Sequence, residues 1–330
     1  MGIKNRLVSG AIKLFRACGL TGRLDTLAGE MAELHKKFNE ATATVQNCLE
    51  KERPERPYVD KGCQILLGIH YRECIRRGER LPFSDTEFRN HSQNGEDGIL
   101  LYIFSLIGTT NKVTVEMCAG NGIESNSANL ILNHGWYGLL YDGDKKRVER
   151  GRHFFNTHPD SCRLPPAFSH AWITRDNVND LISGRRFEGE IDLFSLDMDG
   201  VDYWIWDALE VVSPRVVVVE VQAAWMAEKA VTVPYREDFV ASWICTNEKY
   251  DMHAQYGGAS LPAFVKLARK KGYRLVGCNS LGFNAFFMRN DVGISEFPEI
   301  DPASCFTHHV STWSNQFAMV AFEKLEWVEV

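Results

Sequence analysis

Three aspartates, Asp197, Asp199 and Asp202, fall within six residues, and Glu220 closes the apolar run that starts at Val216. Carboxylates gathered this tightly repel one another unless a cation or hydrogen-bond donors offset the charge. Oxygen ligands of this kind suit Mg²⁺ or another divalent cation, with Asp199 and Glu220 its main ligands and Asp197 the third. With a metal bound, Asp202 or His253 is left as the base; equally, the carboxylates form a base, an orienting group and a cap without a metal, and Asp199 then takes the proton. A second concentration of chemistry lies upstream, where Glu116, Gly120, Asn121 and Gly122 stand in the stretch 115–122. Glycines there let the backbone turn sharply and come close to a ligand. The third glycine of the dinucleotide pattern is missing, which counts against NAD. An acidic residue at Glu116 fits a ligand carrying an amino group better than a pyrophosphate. Asp142 ends the next apolar run, and its carboxylate can accept two hydrogen bonds from a ribose diol. Asp144 is the alternative, and the structural use of Asp142 would be to cap the following helix.

These groups need strands to carry them. Apolar β runs at 112–117, 138–141, 169–173, 191–196, 215–221, 273–277 and 285–288 alternate with helical stretches, the pattern of a parallel sheet covered on both faces. The run Val216 to Val219 is apolar at every position, as in a central strand. The last two strands follow each other closely and form an antiparallel pair. A short helix is expected over 63–80, and Gln255 to Ser260 reads as a glycine turn opening a helix. That turn suits the positioning of an acceptor hydroxyl or carboxylate.

His91-Ser-Gln-Asn-Gly-Glu-Asp-Gly98, the 116–122 loop, Asp142-Gly143, the 197–204 segment and Val219-Glu-Val221 together resemble the FkbM-type methyltransferases. The branch they resemble occurs among bacterial polysaccharide and secondary-metabolite genes, and the resemblance spans about residues 88–290. It implies an α/β fold, a Rossmann-like seven-stranded class I methyltransferase sheet, with S-adenosylmethionine at the ends of strands one, two and four. Carried over, Glu116, Gly120, Asn121 and Gly122 cradle the methionine part and Asp142 takes the ribose. Trp172 and Ile173 border the adenine, Asp197 adds a further cofactor contact, and Gln93, Asn94 and Glu96 close over the cofactor. The family pattern has an acidic residue where Asn121 stands and a glycine where Cys118 stands.

The domain reading is a helical extension at 1–52, a linker and short helix at 53–84, a catalytic domain at 85–292, and a C-terminal extension at 293–330 that packs on the core. Residues 1–23 carry five cations and no carboxylate, which suits a basic amphipathic helix lying on an anionic membrane or packed on its own protein. Apolar residues from Leu24 to Cys48 recur three and four apart, the spacing of a coil that pairs with a second copy, a partner protein or its own chain. A net charge of −6 gives no reason to expect nucleic acid as a partner. Nine cysteines without a CxxC pair or a convincing leader read as free thiols in a reducing cytoplasm, with the inner membrane face as the alternative location. The expected activity is O-methylation of a hydroxyl on a sugar, glycan or related metabolite. The rival is a catalytically silent methyltransferase fold that works through its N-terminal coil.

Overall fold

The computed structural model describes residues 58–247 and 252–330, together with Glu33. The basic helix expected at 1–23 and the heptad pattern at 24–48 lie outside the described residues. The chain divides into units 1–56 and 57–330, and the sheet with all its helices belongs to the second.

In chain order the elements are α1 (Lys61–Arg76), α2 (Glu96–Ile107), β1 (Val113–Met117), α3 (Ala128–His134), β2 (Tyr137–Asp142), α4 (Lys145–Thr157), β3 (Ala167–His170), α5 (Val178–Ser183) and β4 (Gly189–Leu196). They continue as α6 (Asp202–Ala208), β5 (Val212–Glu220), β6 (Val231–Thr232), β7 (Ser242–Asn247), β8 (Met252–Tyr256), α7 (Leu261–Lys271), β9 (Tyr273–Cys278), β10 (Asn284–Arg289), α8 (His309–Phe322) and β11 (Val328–Glu329). Seven strands form one sheet in the order β3-β2-β1-β4-β5-β10-β9. The first five run parallel, and β10 lies antiparallel between β5 and β9. This is the Rossmann-like seven-stranded sheet expected from the sequence, with its closing antiparallel pair.

Period-two alternation explains why β5 reads as continuously apolar. Val217 and Val219 enter the core shared with α5, α6 and α7, while Val216 and Val218 enter the core shared with α2, α3 and α4. All four valines are fully buried. The third strand lies earlier than expected, at Ala167–His170, so Trp172 and Ile173 fall in the loop beyond it. Two small sheets, β7 with β8 and β6 with β11, were not foreseen. Two-residue pairs and a short exposed hairpin leave little periodicity to read. Among the described residues no helix is long and apolar enough to cross a membrane.

One buried ion pair anchors the sheet at the end away from the site. Asp192 on β4 accepts a 2.8 Å bond from Arg215 on β5 and also takes the backbone amides of Thr110, Asn111 and Lys112. Arg215 in turn donates to the carbonyls of Ile107 and Gly108, which closes the turn from α2 into β1. Burial works to raise the Asp192 carboxyl, but Arg215 and the three amides outweigh it and hold it below the ordinary carboxylate value. Asp192→Ala strands a buried guanidinium and three amides and should cost about 3–5 kcal/mol in denaturant unfolding. Because the folded value is lowered, this share of stability is present above the unfolded value near about 4 and lost as pH falls below it. A variant as stable as the parent at pH 7 would contradict this role.

Candidate active site

The carboxyl ends of β1, β2, β4 and β5 meet along one edge of the sheet, and tight turns there are held by buried carboxylates. After β1 the chain enters the left-handed region at Cys118 (φ 61°), Gly120 (φ 58°) and Gly122 (φ 68°). Cys118 thus adopts a conformation that favours glycine. A Cβ on Gly122 would come within 2.9 Å of Phe155 and Phe168, whereas one on Gly120 would meet no protein atom within 4 Å. Asp142 binds this turn directly, its Oδ2 accepting the Gly120 amide at 2.8 Å and its Oδ1 the Asp144 amide at 2.8 Å. Burial raises the Asp142 carboxyl above its ordinary value. The helix cap is Asp144, which accepts the Lys146 amide at 2.7 Å at the start of α4, so Asp142 is left facing the strand ends.

A cavity of about 400 Å³ opens above these ends, lined by Cys118, Asp142, Trp172, Ile173, Asp197 and Asp199 among others. Its far side is a strap after β6. Trp172 donates its indole N–H to the Glu237 carbonyl at 2.6 Å, and the Tyr235 hydroxyl accepts the Arg175 amide at 3.1 Å. Sequence reasoning missed the strap, since an irregular segment leaves no periodic signal.

A second cavity, about 550 Å³, is lined by Gln93, Asn94, Asp199, Glu220, Trp243, His253 and Gln255 among others. Asp199 lines both cavities. It sits in a left-handed conformation (φ 56°), and its Oδ1 accepts the Gln255 side-chain amide at 2.8 Å. The 255–260 turn is locked against the same loop: the Gly258 amide donates to the Gly200 carbonyl at 2.8 Å, and a Cβ on Gly257 would lie 2.3 Å from the Asp199 carbonyl oxygen. Ser260 then caps α7.

Asp197, Asp199 and Glu220 each bring one oxygen into a group whose members lie within 4.8 Å of one another. Burial and then Asp199 and Asp202 push the Asp197 carboxyl upward. Burial and then Asp197 and Asp199 push Glu220 upward. Both rises favour keeping a proton on this pair when no cation is bound. The donor set fits a hard divalent ion.

Other expected site residues are placed differently. Gln93 and Asn94 line the second cavity and not the first. Glu96 is fully buried and accepts from Asn279, Asn284 and the Asn94 amide, so it fixes the turn before α2. Glu116 gives its two oxygens to the Asn126 and Ser127 amides at 2.9 and 3.0 Å, because the chain before α3 needs acceptors for its free N–H groups. The Asn121 side chain accepts from Ile123 and Glu124 within its own turn. Asp202 is buried, holds the 198–200 loop through the Met198 and Gly200 amides at 2.7 and 2.9 Å, and lines neither cavity. His253 lies on the wall of the second cavity.

No protein-family model matches the chain, and no curated protein matches it. Solved structures similar to it include the glycopeptide N-methyltransferase MtfA complexed with S-adenosylmethionine, at 10% identity and a TM-score of 0.37, over 59% of this chain and 92% of that one. The CcbJ methyltransferase from Streptomyces caelestis is 13% identical, with a TM-score of 0.38 over 63% and 96% of the two chains. The methyltransferase domain of bacterial CtHen1 is 16% identical, with a TM-score of 0.37 over 58% and 96%.

The cluster makes a pH-dependent demand on the fold. Burial and its neighbours raise Asp202 to about 6, against an unfolded value near about 4, so its share of stability is present below the lower value and lost as pH rises through the upper. Asp197 and Glu220 act in the same direction. In EDTA, Glu220→Gln should therefore raise the melting temperature at pH 8 more than at pH 5. An equal gain at both pH values would remove repulsion as the cause.

Proposed function

We propose that the chain is an S-adenosylmethionine-dependent methyltransferase acting on a hydroxyl of a sugar, glycan or related metabolite. The observation that carries this reading is the position of Asp199 in the wall common to both cavities. One cavity offers a nucleoside what it needs: a carboxylate at the end of β2 and an indole edge beside it. The other offers an acceptor amides, carboxylates and a histidine. A group passing from one cavity to the other crosses at Asp199.

The residues fit the cofactor. Each Asp142 oxygen accepts one backbone amide and keeps acceptor capacity for a ribose diol. The Gly120 position leaves open the side from which a ligand approaches. Bound there, the cofactor would supply an activated methyl group. The protein's own part is to align the acceptor oxygen with that methyl carbon and to take the hydroxyl proton.

Asp199 is the base in this reading. The upward shifts of the neighbouring Asp197 and Glu220 favour their protonated forms, which lessens the negative charge beside Asp199. The alternative is a divalent ion held by Asp197, Asp199 and Glu220, which would make the acceptor hydroxyl more acidic instead. The two are separable. With a metal, EDTA abolishes turnover and Mg²⁺ restores it; with Asp199 as base, turnover survives EDTA and is lost in Asp199→Asn.

Cofactor binding is tested at Asp142. Asp142→Ala should weaken S-adenosylmethionine by about 1–3 kcal/mol in calorimetry, through lost charge-assisted hydrogen bonds. Unchanged affinity would take Asp142 out of the site. No detectable binding by the parent protein would sink the methyltransferase reading itself.

A further inference from the structure

The outer wall of the second cavity is the hairpin formed by β7 and β8, whose Trp243 the activity reading leaves without a role. Its register decides which side chains look inward. Trp243 pairs with Gln255 and Cys245 with His253, while Ile244 pairs with Ala254 and Ser242 with Tyr256. Directly opposed residues in an antiparallel pair share a face, and successive residues alternate. Ala254 packs into the cluster of Trp225, Ala318 and Phe322, and the Tyr256 ring sits edge-on to Trp327 at 5.3 Å, so that face packs mainly against α8 and the chain after it, with Ala254 and Ala318 also reaching the cavity wall. The opposite face carries Gln255, which reaches Asp199 at 2.8 Å. Trp243, its cross-strand neighbour, therefore looks toward the same cavity and lines it together with His253.

Trp243 is nonetheless 69% exposed. An indole exposed on a cavity wall offers a broad, rigid apolar face to a ligand. The remaining lining narrows the ligand's chemistry. Gln93, Asn94, Gln222 and Gln255 supply amides, Asp199 and Glu220 supply carboxylates, and no lysine or arginine is among the described lining residues. With no metal bound, a phosphate or carboxylate finds no cation among the described lining residues and meets like charge. A ring with an apolar C–H face and hydroxyl donors on its edge fits both features, the first against the indole and the second toward the acceptor oxygens.

We propose that Trp243 is the stacking platform for the acceptor, and that the acceptor is an uncharged sugar ring laid on the inward face of the β7–β8 hairpin. The proposal rests on the methyltransferase reading and adds to it a positioning residue and a charge class. Trp243 touches the ring and not the reacting atoms, so its loss should act on acceptor KM and leave kcat and cofactor affinity nearly intact.

The test is radiolabelled methyl transfer from S-adenosylmethionine to matched methyl glycosides: neutral hexosides, hexuronides, hexose phosphates and hexosaminides. Calorimetry with S-adenosylmethionine alone is run on each protein sample. The expected result is transfer to neutral hexosides with little to the anionic ones. Trp243→Ala should raise acceptor KM about tenfold or more, Trp243→Phe should recover most of that, and the cofactor Kd should be unchanged in both. Cofactor binding with preferred transfer to hexuronides or phosphates would overturn the charge class. Transfer to the amine of hexosaminides would identify an amine acceptor instead and overturn the proposal. An unchanged KM in Trp243→Ala, or cofactor binding with no transfer to any glycoside, would equally defeat it. Failure of the parent protein to bind cofactor would instead be a failure of the underlying reading.

Discussion

Buried carboxylates can be tolerated only if donors or cations answer them, and this constraint shapes the whole site end of the sheet. Most of the acidic groups there are answered by backbone N–H. Asp97 takes the amides of Asn90, His91 and Ser92; Glu116 those of Asn126 and Ser127; Asp142 those of Gly120 and Asp144; Asp202 those of Met198 and Gly200. Each such carboxylate fixes a loop whose amides have no partner in a helix or strand. The loops that surround the cavities are built this way, from charge inward.

Asp197, Asp199 and Glu220 are the exception. Their oxygens crowd within 4.8 Å of one another, and the side-chain donor that reaches Asp199 is an amide from Gln255. Such an arrangement lowers stability, and proteins keep it where chemistry needs a proton acceptor or a cation. The neighbouring left-handed residues fit the same picture. Cys118 and Asp199 are non-glycine residues with positive φ, and both line the first cavity.

Two layers of support hold this strained edge in place. Behind it, the Asp192–Arg215 pair ties β4, β5 and the entry to β1 together at the opposite end of the strands. In front, the 255–260 turn fits so closely under the Asp199 loop that only glycine is tolerated at position 257. The hairpin and strap then close the two cavities from outside, using contacts made by α8 and by Trp172.

Local pattern in the sequence was enough for the sheet and the acidic groups at its strand ends, although β3 ends at His170, earlier than its apolar run predicts. Strand periodicity and apolar runs are short-range properties, and a carboxylate at the end of such a run must lie at the binding edge of an α/β sheet. The position of Asp142, Asp197, Asp199 and Glu220 at that edge was legible for that reason. What each carboxylate does was not. Glu96, Glu116 and Asp202 look like ligand contacts in sequence, yet backbone amides claim them, and which amides come within reach depends on how the loops pack. Gln93 and Asn94 moved to the second cavity, and Trp243 entered its wall, through a hairpin whose facing is set by packing against α8. Residue type announces that a group can accept a proton or a hydrogen bond, whereas its partners come from distant segments, so only the tertiary structure sorts the loop-builders from the groups left to face a ligand.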